Sequence, residues 1–249
     1  MDGFTKRFIA CMVIRANDDG DIVVTKGDHD KYNCLGQWDR NRERSPHAKC
    51  PSRQPVDLAM RYCRRRMLLN ITSFRHSPLH DQPMLTVVRE AASHIFVPLK
   101  IDGGIKDTVD PDGTPRSALE VAGAYFRAGT DKVSMGCEAV IAVERLLAHG
   151  TGQGGGTSRI ETISRVYGRQ TVVVPVDSRH VLVDPETESG RSRAWWYQRT
   201  GVETLGTGET LLNSIDRDRM NQGYDLDLVA LVCRSVRIPV VASSGAGAP

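Results

Sequence analysis

The sequence predicts an α/β protein of alternating strands and helices that closes as a (β/α) barrel, and three observations carry that prediction. The first is a set of short apolar runs that stop on glycine or on a carboxylate, as buried parallel strands do. Val97-Pro98-Leu99-Lys100-Ile101-Asp102-Gly103-Gly104-Ile105 is the plainest of them. The second is helical spacing of apolar residues between these runs. The third is that the chain repeats itself: Ile238-Pro239-Val240-Val241-Ala242-Ser243-Ser244-Gly245-Ala246-Gly247 restates the first run, and Leu211-Leu212-Asn213-Ser214-Ile215 restates Leu68-Leu69-Asn70-Ile71-Thr72. Near-equal separations point to duplication of a whole half-domain. Paired glycines without Cβ atoms let backbone N–H groups approach an anion, although a tight turn is the plain alternative for either loop alone. Two such loops, one per half, imply a ligand with a phosphate at each end.

In chain order, Phe8-Ile9-Ala10-Cys11-Met12-Val13-Ile14 reads as the first buried strand, and the turn Asp18-Asp19-Gly20-Asp21 returns a short strand over 22–25. Residues 28–55 are polar and aperiodic, which makes them an active-site loop or an insertion. A helix from about Pro55 places Val56, Ala59, Met60 and Cys63 on one face and runs through Arg64-Arg65-Arg66 into a strand over 67–71 with almost no loop. Leu85, Val88 and Ala92 mark a helix over 83–95 that leads to the strand at 97. A turn-rich insertion occupies 106–115, a helix 117–128 and a strand 132–135, after which a helix starts at Gly136-Cys137 with free N–H groups. The glycine-rich run 150–156 lacks the Gly-Lys-Ser/Thr ending of a P-loop and reads as a loop. Ser158 with Glu161 forms a capping box for a helix over 159–166.

Thr171-Val172-Val173-Val174-Pro175-Val176-Asp177 is a strand ending on a carboxylate. A lone Asp there is usually a cap or a turn former, but in a barrel the carboxyl ends of strands carry the chemistry, so Asp177 is a candidate acid or base. Strands at 210–214 and from Ile238, with a helix over 226–236 between them, complete the pattern. The reading is one domain over 1–249, incomplete as a barrel, with a seventh strand last and 28–55 a divergent loop.

The chain has 249 residues, 40% hydrophobic and 25% charged, enough for one sizeable core. A net charge of +3 with basic residues spread along the chain gives no reason to expect nucleic acid. No apolar run is long enough for a membrane span. The six cysteines form no CxxC pair and follow no signal peptide, so a cytoplasmic protein with reduced thiols is expected. His47, Cys50 and Cys63 match no regular zinc spacing, and no metal is expected.

Thr5-Lys6-Arg7, Val24-Thr25-Lys26-Gly27-Asp28, Leu69-Asn70-Ile71-Thr72, Gly103-Gly104-Ile105, Asp131-Lys132-Val133-Ser134, Leu212-Asn213-Ser214-Ile215-Asp216-Arg217-Asp218, Gly223-Tyr224-Asp225 and Ala242-Ser243-Ser244-Gly245-Ala246-Gly247 resemble the cyclase subunit of imidazole glycerol phosphate synthase. The match runs nearly end to end, and the 107–115 insertion and the glycine-rich loop make it most similar to the cyclase half of the bifunctional eukaryotic enzyme. The resemblance implies a (β/α)8 TIM barrel of the histidine-biosynthesis type, here truncated after the seventh strand. It implies a lyase-type ring closure, in which ammonia and phosphoribulosyl-formimino-AICAR phosphate give imidazole glycerol phosphate and AICAR ribonucleotide, with no cofactor. It also implies a glutaminase partner, a domain or a subunit, that supplies the ammonia.

The family's two acid–base aspartates map onto Asp177 and onto Val13, where valine cannot transfer a proton. The internal repeat also sets Val13 opposite Asp177. One phosphate loop maps onto Gly103, Gly104, Gly136 and Cys137, and the other onto Asp218, Ser244, Gly245 and Ala246. An ammonia gate maps onto Arg7, Lys132 and Glu209. Asp102 and Arg219 stand where the family usually has glycine, which should weaken phosphate binding. The stretch 64–67 is compressed, and from Trp195-Trp196-Tyr197 to Glu209 too few residues remain for the usual fifth helix. The other readings are a non-catalytic phosphosugar-binding pseudoenzyme and the sister phosphoribosyl isomerase of the same pathway.

Overall fold

The computed structural model describes residues 9–16, 22–26, 33–34, 66–70, 83–94, 96–148, 155–180, 201–218 and 220–246. The expected helix from Pro55, most of the 28–55 segment, the His47, Cys50 and Cys63 trio, and the region around Trp195-Trp196-Tyr197 lie outside the described residues. The chain divides into two compact units, Met1–Val133 and Ser134–Pro249, and each copy of the sequence repeat falls in a different unit.

In the first unit β1 (Ala10–Ala16), β2 (Ile22–Lys26), β3 (Asn33–Cys34), β4 (Arg66–Asn70) and β5 (Leu99–Asp102) lie in the order β3-β2-β1-β4-β5. β1, β4 and β5 are parallel, while β2 folds back antiparallel on β1 and pairs Ile22 with Ala16. That pairing carries β1 two residues past the expected end at Ile14. β5 begins at Leu99 rather than at 97. Pro98 has no N–H to give, and the Leu99 N–H is taken at 2.7 Å by the Asp131 carboxylate. Helix α1 (Pro83–His94) buries Met84, Val87, Val88 and Ala91, all at three- and four-residue spacing.

The 106–115 insertion, expected as turns alone, holds a small antiparallel hairpin of β6 (Thr108–Val109) and β7 (Pro115–Arg116). Its anchor is Asp110, whose side chain is fully buried and accepts from Arg116 Nε at 2.8 Å. Asp107 accepts from the Ala118 N–H at 2.7 Å, tying the insertion to helix α2 (Ala118–Arg127). Ser117 and Glu120 close a capping box at the head of α2, which buries Val121, Ala122 and Tyr125. β8 (Lys132–Ser134) follows; its neighbour Asp131 donates its backbone N–H to the Leu99 carbonyl at 2.9 Å.

In the second unit come α3 (Cys137–Ala148), α4 (Arg159–Tyr167), β9 (Val172–Ser178), β10 (Glu209–Ser214), α5 (Leu226–Ser235) and β11 (Val240–Ser243). The last strand starts two residues after the expected Ile238, and the Pro239 carbonyl instead accepts the Thr210 N–H at 2.9 Å. The Ser158–Glu161 capping box is present as expected, and Ile160 and Ile163 of α4 are fully buried. β9, β10 and β11 are parallel neighbours, and Leu212, Val232 and Val236 centre an apolar cluster with Val176, Leu228, Val229, Ile238 and Val240.

The two units differ in register. In the second, Asp177, Asn213 and Ser243 form one row across β9, β10 and β11. The repeat makes Val13, Asn70 and Asp102 their counterparts, yet the row in the first unit is Val13, Leu69 and Asp102, and Asn70 pairs with Ile14. β4 therefore sits one residue out of step with both of its parallel neighbours. In a structure with period two, such a slip exchanges the faces of the whole strand.

Candidate functional site

The expected residues of the second unit gather at the carboxyl ends of β9, β10 and β11. Asp177 is the sixth residue of β9 and is exposed. Its Oδ1 accepts from Asn213 Nδ2 at 2.7 Å. Asn213 Oδ1 in turn accepts from Ser244 Oγ, and that same hydroxyl lies 3.0 Å from Asp218 Oδ1. Ser178 Oγ donates to the Asn213 carbonyl at 2.8 Å, so β10 is pinned to β9 beside the site by main chain and side chain together.

The loop after β11 turns back sharply. Ser244 has φ +69, a left-handed conformation that costs a residue with a Cβ about 1 kcal/mol, and Gly245 follows at φ +83. A Cβ on Gly245 would run into the Gly223 carbonyl oxygen. Glycine is required there by contact as well as by conformation. Ala246 follows and is exposed. A tight glycine turn at the end of a strand is one form that an anion-binding concavity takes.

Beside this row lies a second set that sequence reasoning had not picked out. Three residues after Asp177, His180 Nε2 meets Asp225 Oδ2 at 2.6 Å, and the His180 backbone N–H donates to Asp216 Oδ2 at 2.6 Å. Asp225 is also the N-cap of α5, accepting from the Leu228 N–H at 3.0 Å. The hydrogen bond that the ring donates to Asp225, and the charge of that carboxylate, hold the His180 imidazole above its ordinary range. The same bond holds the Asp225 carboxyl below its ordinary range, against the opposing effect of its burial. Asn213 could have been found in the sequence as the first polar side chain after Leu211 and Leu212. His180 carries no such signal, since its partner lies 45 residues away.

The other expected residues are placed as follows. Gly136 and Cys137 stand at the head of α3, directly after Met135, whose N–H donates to the Val173 carbonyl at 3.0 Å. Gly103 (φ +88) and Gly104 (φ +83) follow β5, with the Lys106 N–H closing the turn onto the Gly104 carbonyl at 3.1 Å. In each unit, then, the glycine loop leaves the carboxyl end of its strand. Val13 lies within β1, in the row with Leu69 and Asp102. Of the gate residues, Arg7 lies outside the described residues, as does Arg219, the residue in place of a family glycine. Lys132 opens β8 and the buried Glu209 opens β10. Glu209 is thus at the end of β10 away from Asn213, about 13 Å off at the usual rise per residue. Among the described residues no three His, Cys, Asp or Glu side chains are grouped to hold a metal.

Parallel strands that present a carboxylate, an amide and a glycine turn at their carboxyl ends define an α/β protein of the barrel-building class. The chain belongs to the histidine biosynthesis protein family, whose model matches residues 18–249 and whose members are (β/α)8 barrels. It is 44% identical over 280 aligned positions to imidazole glycerol phosphate synthase hisHF of Schizosaccharomyces pombe, covering 99% of this chain and 50% of that protein. It is 43% identical over 278 positions to the chloroplastic hisHF of Arabidopsis thaliana, covering 98% of this chain and 45% of that one. With the imidazole glycerol phosphate synthase subunit HisF of Halobacterium salinarum it shares 30% identity over 270 positions, covering 98% of this chain and 82% of the subunit. The chain spans about half the length of its bifunctional relatives. Each alignment is longer than the chain of 249 residues, so each relative carries segments without a counterpart here.

Proposed function

We propose that this chain is the cyclase part of an imidazole glycerol phosphate synthase of histidine biosynthesis, with Asp177 as its surviving acid–base group. The observation that carries the reading is the hydrogen-bonded series Asp177, Asn213, Ser244, Asp218 at the strand ends. It sets a group able to move a proton beside a turn able to hold a phosphate. The Ser244-Gly245-Ala246 turn with Asp218 would take one phosphate of the phosphoribulosyl-formimino-AICAR phosphate. The Gly103-Gly104 turn would take the other. Ammonia would come from a glutaminase domain or subunit, and adding it and closing the ring calls for one group that accepts a proton and one that gives it.

Asp177 covers one of those roles, and Val13 leaves the other empty. That single replacement favours a second reading, a phosphosugar-binding protein of the same family that turns over slowly or not at all. Both readings keep the binding function. Among the described residues no helix is long and apolar enough to cross a membrane. The sequence reading places the chain in the cytoplasm, while the plant relative is named chloroplastic.

The deciding experiment supplies the purified chain with ammonium and the bis-phosphate intermediate and follows imidazole glycerol phosphate. Slow formation that Asp177→Asn abolishes supports the cyclase reading. Tight binding without product supports the second. A chain that neither binds nor converts the intermediate overturns both.

A further inference from the structure

Asn213 stands between the carboxylate of Asp177 and the hydroxyl of Ser244, and an amide cannot offer the same atom to both. Its nitrogen is a donor only and its oxygen an acceptor only. As observed, Nδ2 faces Asp177 Oδ1 at 2.7 Å, which suits an ionised carboxylate, and Oδ1 faces Ser244, which spends the single hydroxyl proton inward. When Asp177 is protonated, its O–H can donate to the amide oxygen instead. The amide then turns about its last torsion and presents Nδ2 to Ser244 Oγ. The hydroxyl becomes an acceptor on that side, and its proton is released toward the loop. Asp218, 3.0 Å from Ser244 Oγ, competes for that proton in both states, so the change between them is the turn of the amide and the hydroxyl rotation that follows it.

We infer that Asn213 is a positioning residue that couples protonation of Asp177 to anion binding at the Ser244-Gly245-Ala246 turn. The inference rests on the reading of that turn as a phosphate site and of Asp177 as the acid–base group. An anion that takes the Ser244 proton favours the turned amide, and the turned amide favours protonated Asp177. The proton comes from solvent, and no bond between heavy atoms forms or breaks. Substrate binding thus loads the acid before ammonia addition begins.

Other charged groups lie near: Arg179 and His180 after β9, Asp216, Arg217 and Asp218 after β10, and Asp225 at the head of α5. They must be separated from the coupling. Substituting Asn213 leaves all of them in place, so their contribution cancels in a comparison of variants.

The experiment is calorimetric titration of the full chain with sulfate, a tetrahedral dianion that does not itself titrate between pH 5 and 8, in buffers of different ionisation enthalpy. The expected result is proton uptake on binding and an affinity that rises as pH falls, by up to about tenfold per pH unit for one coupled proton. Asn213→Leu should keep sulfate binding but lose most of that uptake, and Asp177→Asn should lose it too. If Asn213→Leu does not fold, Asn213→Ala takes its place, because Asp177→Asn removes the titrating group without testing the amide. Uptake unchanged in the folded variants overturns the coupling and leaves the phosphate site standing. Sulfate that does not bind the unmodified chain at all, or binds equally well to Ser244→Ala, overturns the phosphate reading and this inference with it.

Discussion

His180 Nε2 and Asp225 Oδ2 lie 2.6 Å apart and join the segment leaving β9 to the first turn of α5. The bond fixes the chain three residues beyond Asp177, so its strength bears on the shape of the site. Its pH dependence has two limbs. His180 titrates higher in the folded state, so its contribution is complete below its unfolded value and is lost as pH rises through the folded one. Asp225 titrates lower, so its contribution is present above its unfolded value and is lost as pH falls through the folded one. The link is complete between about pH 4 and pH 6.5, the unfolded values of the two groups.

We expect His180→Leu to lower stability by about 0.5 kcal/mol near pH 5.5, the scale of an exposed ion pair, and by almost nothing above pH 9. Asp225→Ala should cost about 1 kcal/mol more at either pH, because it also removes the cap of α5. Denaturant melts of both variants at the two pH values check this. An equal loss for His180→Leu at both would show that the ring acts by packing and not by its charge.

Gly245 and Gly223 provide a matched pair. Both have positive φ, +83 and +89, but a Cβ at Gly223 meets open space while one at Gly245 meets the Gly223 carbonyl. Gly223→Ala should cost about 1 kcal/mol from conformation alone. Gly245→Ala should cost more than that and should also weaken sulfate binding at least fivefold, because the turn must open to relieve the contact. Equal losses of stability with sulfate affinity intact would mean that the Gly245 contact does not shape the anion site.

The capping box at α4 serves as a control away from the site. Ser158→Ala should cost about 1 kcal/mol without change in sulfate affinity. Glu161 adds an acid limb: burial raises its pKa, but hydrogen bonds from Ser158 and Gly156 outweigh this and hold it below the ordinary carboxylate range. The stability it contributes is therefore lost as pH falls through that lowered value, and the melt of Ser158→Ala should be less sensitive to acid than that of the unmodified chain.

These cases mark what the sequence could and could not tell. The box at Ser158 was legible because both partners lie within one turn of helix, and so was the place of Asp177, because an apolar run with a polar stop is local. The hairpin at 108–116 was hidden, since two-residue strands carry no periodicity and Asp110 announces its burial only through Arg116. The partnership of His180 with Asp225 depends on how β9 and α5 are brought together. Asn213 was visible as part of a repeat, but its role emerges only from the register that aligns it with Asp177.

That register also decides what can be expected of Val13. Replacing either member of an acid–base pair costs about two to four orders of magnitude in rate, so the unmodified chain should show little turnover with ammonium and the bis-phosphate intermediate. Val13→Asp restores a carboxyl group at the place equivalent to Asp177. It does not restore the row, because Leu69 and not Asn70 is its partner on β4, whereas Asp177 has Asn213. We therefore expect Val13→Asp alone to recover only a small part of the activity. Removing one residue ahead of Arg66 draws β4 back by one position, which brings Asn70 level with both residue 13 and Asp102, as Asn213 is level with Asp177 and Ser243. The double variant should exceed Val13→Asp by at least tenfold in kcat at similar KM, and Asp177→Asn should abolish the gain. If Val13→Asp is as active without the deletion as with it, the slip of β4 has no bearing on the chemistry, and the loss of function belongs to the valine alone.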